Sequence, residues 1–206
     1  MSDCVFPLVP GKPFQIRAVV IVYDLEFTAW DGSMAERWLR PGQFREVVQI
    51  GAVKLDMGTL EEIADFEILV KPRLNPLLSP YFETLTGIAH ADVARRGVDL
   101  AEGYERFLAF TEQAQTCAFG RDDLVFAENF RLYGIRNSPP APPYLNIAPW
   151  LRANGLNPRH AGDVAEAAGA PLAGHKHDAL FDARSVALGI RTLVAMGACN
   201  PFAAAR

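Results

Sequence analysis

The chain is short of cysteine, of net positive charge and of long apolar runs, and each shortage narrows what it can be. Its three cysteines, Cys4, Cys117 and Cys199, are scattered over 206 residues. They have neither zinc-knuckle nor redox spacing, so reduced thiols in a cytoplasmic protein are expected. Acidic residues outnumber basic ones, 24 against 20, for a net charge of −4. That argues against a broad basic footprint for nucleic acid. An enzyme gripping only a few nucleotides needs few phosphate contacts, however, and bound metal ions reverse the local sign. No apolar run approaches the ~20 residues of a membrane span, so no membrane partner is expected. The apolar patch from Val5 to Val9 is broken by Pro7 and lacks the basic start and long core of a secretion signal. No repeat of 20–50 residues marks a solenoid.

What is present suits one α/β domain, with half the residues hydrophobic and 21% charged. Ala18 to Val22 is a dense β-branched run of the kind that forms a buried central strand. Arg45 to Leu55 and Glu61 to Pro72 read as two further strands joined by a hairpin turn at Asp56 to Thr59. Between the first two lies a polar connection, Trp30 to Gln43. Helical spacing then takes over. Pro80 to Ile88 and Asp99 to Gln113 are predicted helices, the second with Asp99 as N-cap. A short strand at Thr116 to Gly120 precedes a helix from about Asp123 to Leu132. The prolines between Ser138 and Pro143 forbid regular pairing. A short strand at Tyr144 to Ile147 is followed by helices at Pro149 to Ala153, Ala161 to Ala168 and Ala179 to Met196. The expectation is a mixed five-stranded sheet, three antiparallel strands then two parallel, flanked by helices. The domain is expected to fill 1–206, with a core of about 18–196 and peripheral tails at 1–17 and 197–206.

Three stretches carry chemistry. The first strand runs into Tyr23-Asp24-Leu25-Glu26-Phe27-Thr28. Residues two apart on a strand share a face, so Asp24 and Glu26 project together. Two carboxylates that close raise one another's pKa unless a cation lies between them. Oxygen-only ligands of this kind suit Mg²⁺ or Mn²⁺. In the second stretch, Gly174 to Arg184, Asp178 is the natural N-cap of the last helix. His177 then lies one residue outside that helix and Asp182 at its fourth position, two places that approach one another in space. The third is Gly120-Arg121-Asp122-Asp123-Leu124, after the fourth strand. Asp123 alone reads as an N-cap, and Asp122 competes with it for any functional role.

Together these motifs resemble the DEDDh-type 3′–5′ exonucleases of the RNase H-like, DnaQ-like superfamily, in particular the Eri-like and histone-mRNA 3′ exonuclease branch. Asp24-Leu25-Glu26-Phe27-Thr28 is similar to the family's Asp-x-Glu motif. His177 and Asp182, followed by Ala183, have the spacing of its last motif. Gly120 and Asp123 match Gly-x-x-Asp. Leu85-Thr86-Gly87-Ile88 resembles the segment that family places beside the terminal nucleotide, and Leu145-Asn146-Ile147 another common to the branch.

The resemblance implies two divalent cations, Mg²⁺ or Mn²⁺, held by Asp24, Glu26, Asp123 and Asp182, with His177 as general base. Phe27, Thr28, Leu85 and Thr86 are its implied substrate-binding residues. The implied partner is the 3′ end of single-stranded nucleic acid, RNA favoured over DNA, and the product a nucleoside 5′-monophosphate. A proofreading-type exodeoxyribonuclease is the alternative. A non-catalytic nucleic-acid- or protein-binding module of the same fold is a third reading, set back by the presence of every expected acid and of the imidazole. Arg37, Arg40, Arg45 and Arg95-Arg96 could steer phosphates, though isolated arginines more often serve a solvated face.

Overall fold

Strand β1 (Val19–Phe27) changes character halfway along one face, and the rest of the fold is arranged around that change. The computed structural model describes residues 18–136 and 138–203. Besides β1 it contains β2 (Val47–Asp56), β3 (Glu62–Leu69), β4 (Gln115–Ala118) and β5 (Tyr144–Asn146). These form a single sheet in the order β3-β2-β1-β4-β5. β1–β2 and β2–β3 pair antiparallel, β1–β4 and β4–β5 parallel. β1 is therefore central, as its β-branched run predicts. The helices are α1 (Ser33–Glu36), α2 (Pro80–Thr86), α3 (His90–Arg96), α4 (Leu100–Thr111), α5 (Asp122–Leu132), α6 (Ala148–Ala153), α7 (Val164–Ala167) and α8 (Ala179–Ala195). A 3₁₀ turn, Ala161–Asp163, leads into α7.

Strand alternation sorts the core into two layers. Val20 and Val22 of β1 join Val53 and Leu55 of β2 under Val186, Ile190 and Leu193 of α8. Ile21, Tyr23 and Leu25 face the other way, against Tyr104 and Phe107 of α4 and Phe126 of α5. A smaller cluster seats α2 and α3 through Phe82 and Val93. The hairpin turn is fixed by the Asp56 carboxylate, whose Oδ1 accepts from the amides of Gly58 and Thr59.

Some local expectations change. The polar connection contains the one-turn helix α1, and α3 was not predicted at all. Both are too short to show a periodicity. Asp99 stands at the N-cap of α4 but its side chain makes no capping bond. The C-terminal end is not peripheral throughout: Phe202 is buried in the α8 layer, and Asn200 donates its amide to the Met57 carbonyl. The expected N-terminal tail, 1–17, lies outside the described residues.

Candidate active site

The β1 face that carries Val20 and Val22 continues into Asp24 and Glu26, each only 8% exposed. Opposite them in register on β2 stand Gly51 and Gln49, and these two residues dock α8. A Cβ on Gly51 would lie 2.1 Å from the Leu180 nitrogen, so only glycine lets the helix start rest on the strand. The Gln49 side chain accepts from the Ala179 amide and donates to Asp178 Oδ2. Asp178 Oδ1 caps the helix through the Phe181 amide at 2.9 Å, as its sequence position predicts. Neither Gln49 nor Gly51 was singled out from the sequence. Their signal is there in VVQIGAV, where a glutamine and a glycine at alternate positions interrupt one face of an apolar strand.

That docking aims the first turn of α8 back at β1. Asp182 is buried, and its Oδ1 accepts from the His177 amide at 3.3 Å. A Cβ on Gly162 would come within 2.5 Å of that oxygen. The expected approach of His177 to Asp182 is thus made first through the backbone. His177 itself has φ 66°, a left-handed conformation that costs a non-glycine residue on the order of 1 kcal/mol and turns its ring toward the acids. One ligand atom from each of Glu26, His177 and Asp182 lies within 4.8 Å of the others.

The third acidic position differs from expectation. Asp122, the first residue of α5, is buried, lines the same cavity as Asp24, Glu26 and Asp182, and has an Oδ2 with no hydrogen-bond partner among the described residues. Asp123 points elsewhere, its two oxygens paired with the Arg121 guanidinium at 2.8 and 2.7 Å. It lines a separate small cavity beside Tyr104 and Tyr144. The physical reason is helical phase. Asp122 falls on the buried stripe of α5 with Val125, Phe126 and Asn129, at intervals of three, four and seven residues, and Asp123 is one position off it.

The electrostatics separate the two aspartates. Burial, then the charge of Asp122, drives the Asp24 carboxyl well above its ordinary pKa. Burial, then Asp182, does the same to Glu26. Asp122 and Asp182 are each pushed up to about 7, mainly by burial. Asp123 moves the other way, held low by Arg121. His177 is lowered by burial and by the neighbouring His160. Four buried carboxylates lining one cavity, one of them with an oxygen unpartnered among the described residues, form a donor set that fits hard divalent cations.

The acids line a cavity of about 240 Å³ whose other walls are largely aromatic. Phe27 and Leu85 line it, and so do Trp30 and Trp38 of the polar connection after β1. Trp38 is fixed by its indole bond to the Thr28 carbonyl and by edge contact with Phe27. Thr28 and Thr86 do not offer their hydroxyls. Thr28 Oγ1 donates to the Phe44 carbonyl and accepts from the Glu46 amide, and Thr86 Oγ1 donates to Phe82 and accepts from Ile88. Both are 2% exposed, and their part is to shape the loops beneath the cavity. Arg45 lies over the Phe27 and Trp38 rings and pairs with Glu128, while Arg40, Arg95 and Arg96 pair with local acids. His175 joins the α8 loop to α2 through the Leu85 carbonyl at 3.1 Å.

Comparison with known proteins agrees with this geometry. The RNase T exonuclease family model matches residues 21–188. Human ERI1 exoribonuclease 2 is 27% identical over 117 residues, 57% of this chain, and the chain spans 15% of that relative's length. The nuclease domain of 3′hExo, a DEDDh family member solved with rAMP, superposes with a TM-score of 0.73 at 21% identity, over 89% of this chain and 95% of that one. E. coli exonuclease I in complex with a dA16 oligonucleotide shares the fold at a TM-score of 0.67 and 16% identity, over 87% of this chain and 41% of that one. With a family match over residues 21–188, most of its length, the chain belongs to the RNase T, DEDDh family of 3′–5′ exonucleases.

Proposed function

We propose that the protein trims single-stranded RNA from the 3′ end, releasing nucleoside 5′-monophosphates. The observation that carries this reading is the meeting of Asp24, Glu26, Asp122 and Asp182 with His177 in one aromatic-walled cavity. Asp24 and Asp122 would hold one divalent cation and Glu26 and Asp182 a second, with Asp24 placed to serve both; Mg²⁺ and Mn²⁺ match the oxygen donors. Such ions supply charge stabilisation at the phosphoryl group and acidify bound water.

The remaining work falls to the chain itself. His177 is kept neutral by burial and by His160, so it can take the proton of the attacking water at its ring nitrogen. Asp182, whose Oδ1 accepts from the His177 amide, is held in orientation beside it. Phe27, with Trp38 set edge-on to it, offers a flat apolar surface for a terminal base, and Leu85 faces into the same cavity. Stacking of that kind accepts any base.

RNA is preferred as substrate because a relative 27% identical over 117 residues is named an exoribonuclease. The DNA reading is kept by exonuclease I, solved with dA16 on the same fold. Trimming of matched RNA and DNA oligonucleotides, each with a free or blocked 3′ end, tests both. Faster loss of the free-ended RNA is expected, since a 2′-hydroxyl is what separates the two substrates. Cleavage within a 3′-blocked strand would end the exonuclease proposal.

A further inference from the structure

A cleft that handles phosphate needs hydrogen-bond donors as well as ligands for cations. The carboxylates supply none, and the Trp38 indole N–H is spent on the Thr28 carbonyl. Apart from the neutral Trp30, Ser33 and Tyr81, the donor side chains lining the cavity are Arg159, His160 and His177. Arg159 is exposed and has no ion pair or hydrogen bond among the described residues. The nearby Lys176 is not free in this way: its ammonium is held by Asp163 at 2.7 Å and Glu166 at 3.0 Å. That pairing also occupies Asp163, the acid best placed to neutralise the Arg159–His160 segment.

His160 is oriented by the same aspartate. Its backbone amide donates to Asp163 Oδ2 at 3.2 Å, and its backbone carbonyl accepts from the Asp163 amide at 3.1 Å. The ring stands edge-on to His177, with centroids 5.2 Å apart. An imidazole carries at least one ring N–H whatever its protonation, so His160 brings a donor, and Arg159 an uncommitted cation, to a cavity lined mainly by acids and apolar groups.

We propose that Arg159 and His160 form a phosphate-holding wall. They grip the phosphate of the 3′-terminal nucleotide and, after cleavage, the 5′-phosphate of the departing monophosphate. This rests on the exonuclease reading above and adds to it two binding residues from the loop before the 3₁₀ turn.

Titration calorimetry of the full chain in Mg²⁺, with adenosine 5′-monophosphate and with adenosine, tests the wall. Wild-type protein is expected to bind the monophosphate more tightly. Arg159→Ala and His160→Ala should each weaken the monophosphate about tenfold, the loss of one charge-assisted hydrogen bond, and leave adenosine unchanged. Arg159→Lys and His160→Gln, which keep a donor, should recover part of the loss. Equal weakening of both ligands would mean a merely structural role and overturn the proposal, as would monophosphate affinities within twofold of wild type. Wild-type protein that trims 3′ ends yet binds both ligands equally overturns the wall and leaves the exonuclease standing. Protein that neither trims nor binds the monophosphate overturns both.

Discussion

Two sets of carboxylates are buried in this molecule, and they are treated in opposite ways. Glu46 is wholly buried, and both of its oxygens are hydrogen-bonded. Its Oε1 accepts from the amides of Arg73 and Leu74 and from the Tyr133 hydroxyl, and its Oε2 accepts from the amide of Asn75. The cleft acids are almost as deeply buried, yet they face one another, and Asp122 leaves an oxygen without a partner. Folding alone would select against the second arrangement, since a buried charge without partners costs several kcal/mol. Burial of an acid therefore does not mark a site. Burial with unmet hydrogen-bonding and charge demand does. Glu46 pins the 73–75 loop, and the cleft acids form a donor set that divalent cations fit.

The widest separation between the two sets should come from activity. Asp122→Asn is expected to lower trimming of a labelled oligonucleotide by about 10²–10³-fold or more, the scale of losing a charge-stabilising group in a reaction centre. Asp123→Asn should leave the rate within about twofold of wild type, since its carboxylate serves Arg121. The metal-free Asp122→Asn protein should melt no lower than wild type, because a repelling charge has been removed. Equal rates for the two variants, or loss on Asp123→Asn alone, would reverse the assignment.

That pair of aspartates also shows where the sequence is legible and where it is not. The central strand, the shared face of Asp24 and Glu26, and the placement of His177 and Asp182 about a helix start follow from periods of two and 3.6 and one N-cap. The choice between Asp122 and Asp123 depends on the phase of α5, a single residue. Motif spacing favoured Asp123; the apolar stripe of Val125 and Phe126 points to Asp122. Thr28 and Thr86 lie in family-like segments, but their hydroxyls close onto backbone groups brought in from other turns, which no local pattern encodes. Trp38 reaches the cavity through left-handed backbone at Arg37 and Trp38, φ 52° and 56°. A polar connection gives no sign of such a turn.

The next effect is on stability, at the other set. Glu46→Gln replaces an acceptor of four donors by an amide that presents hydrogens to some of them. A cost of about 3 kcal/mol is expected, which for a chain of this size lowers the melting temperature by roughly 6–12 °C. Trimming at 25 °C should stay near wild type. A loss of activity without a change in melting would mean that the 73–75 loop serves the cleft.

A smaller effect separates the sets by pH. Asp122 and Asp182 have folded pKa values of about 7 against an ordinary 3.8. Between those values the folded metal-free protein holds more protons than the unfolded chain, so its stability falls as pH rises through the window from about 4 to 7 and stays lower above it. Melting of EDTA-treated protein should therefore be higher at pH 5.5 than at pH 7.5. Mn²⁺ should raise melting most at pH 7.5, where ligands are free of protons, and its affinity should fall in acid as metal and protons compete. Asp122→Asn should flatten the metal-free slope. A slope of the opposite sign would mean the acids are already compensated.

The smallest expected change is at Arg121. Its guanidinium is exposed and its bond is to Asp123, an acid outside the cleft. Exposed pairs contribute little once solvent screening and side-chain entropy are counted. Arg121→Ala should thus leave both trimming and melting at wild-type values while releasing Asp123 from its partner. A freed Asp123 still sits off the buried stripe of α5, so it should not take over from Asp122. The double variant Arg121→Ala/Asp122→Asn should be as inactive as Asp122→Asn alone. Recovered activity in that double variant would show that the salt bridge, and not helical phase, keeps Asp123 out of the cleft.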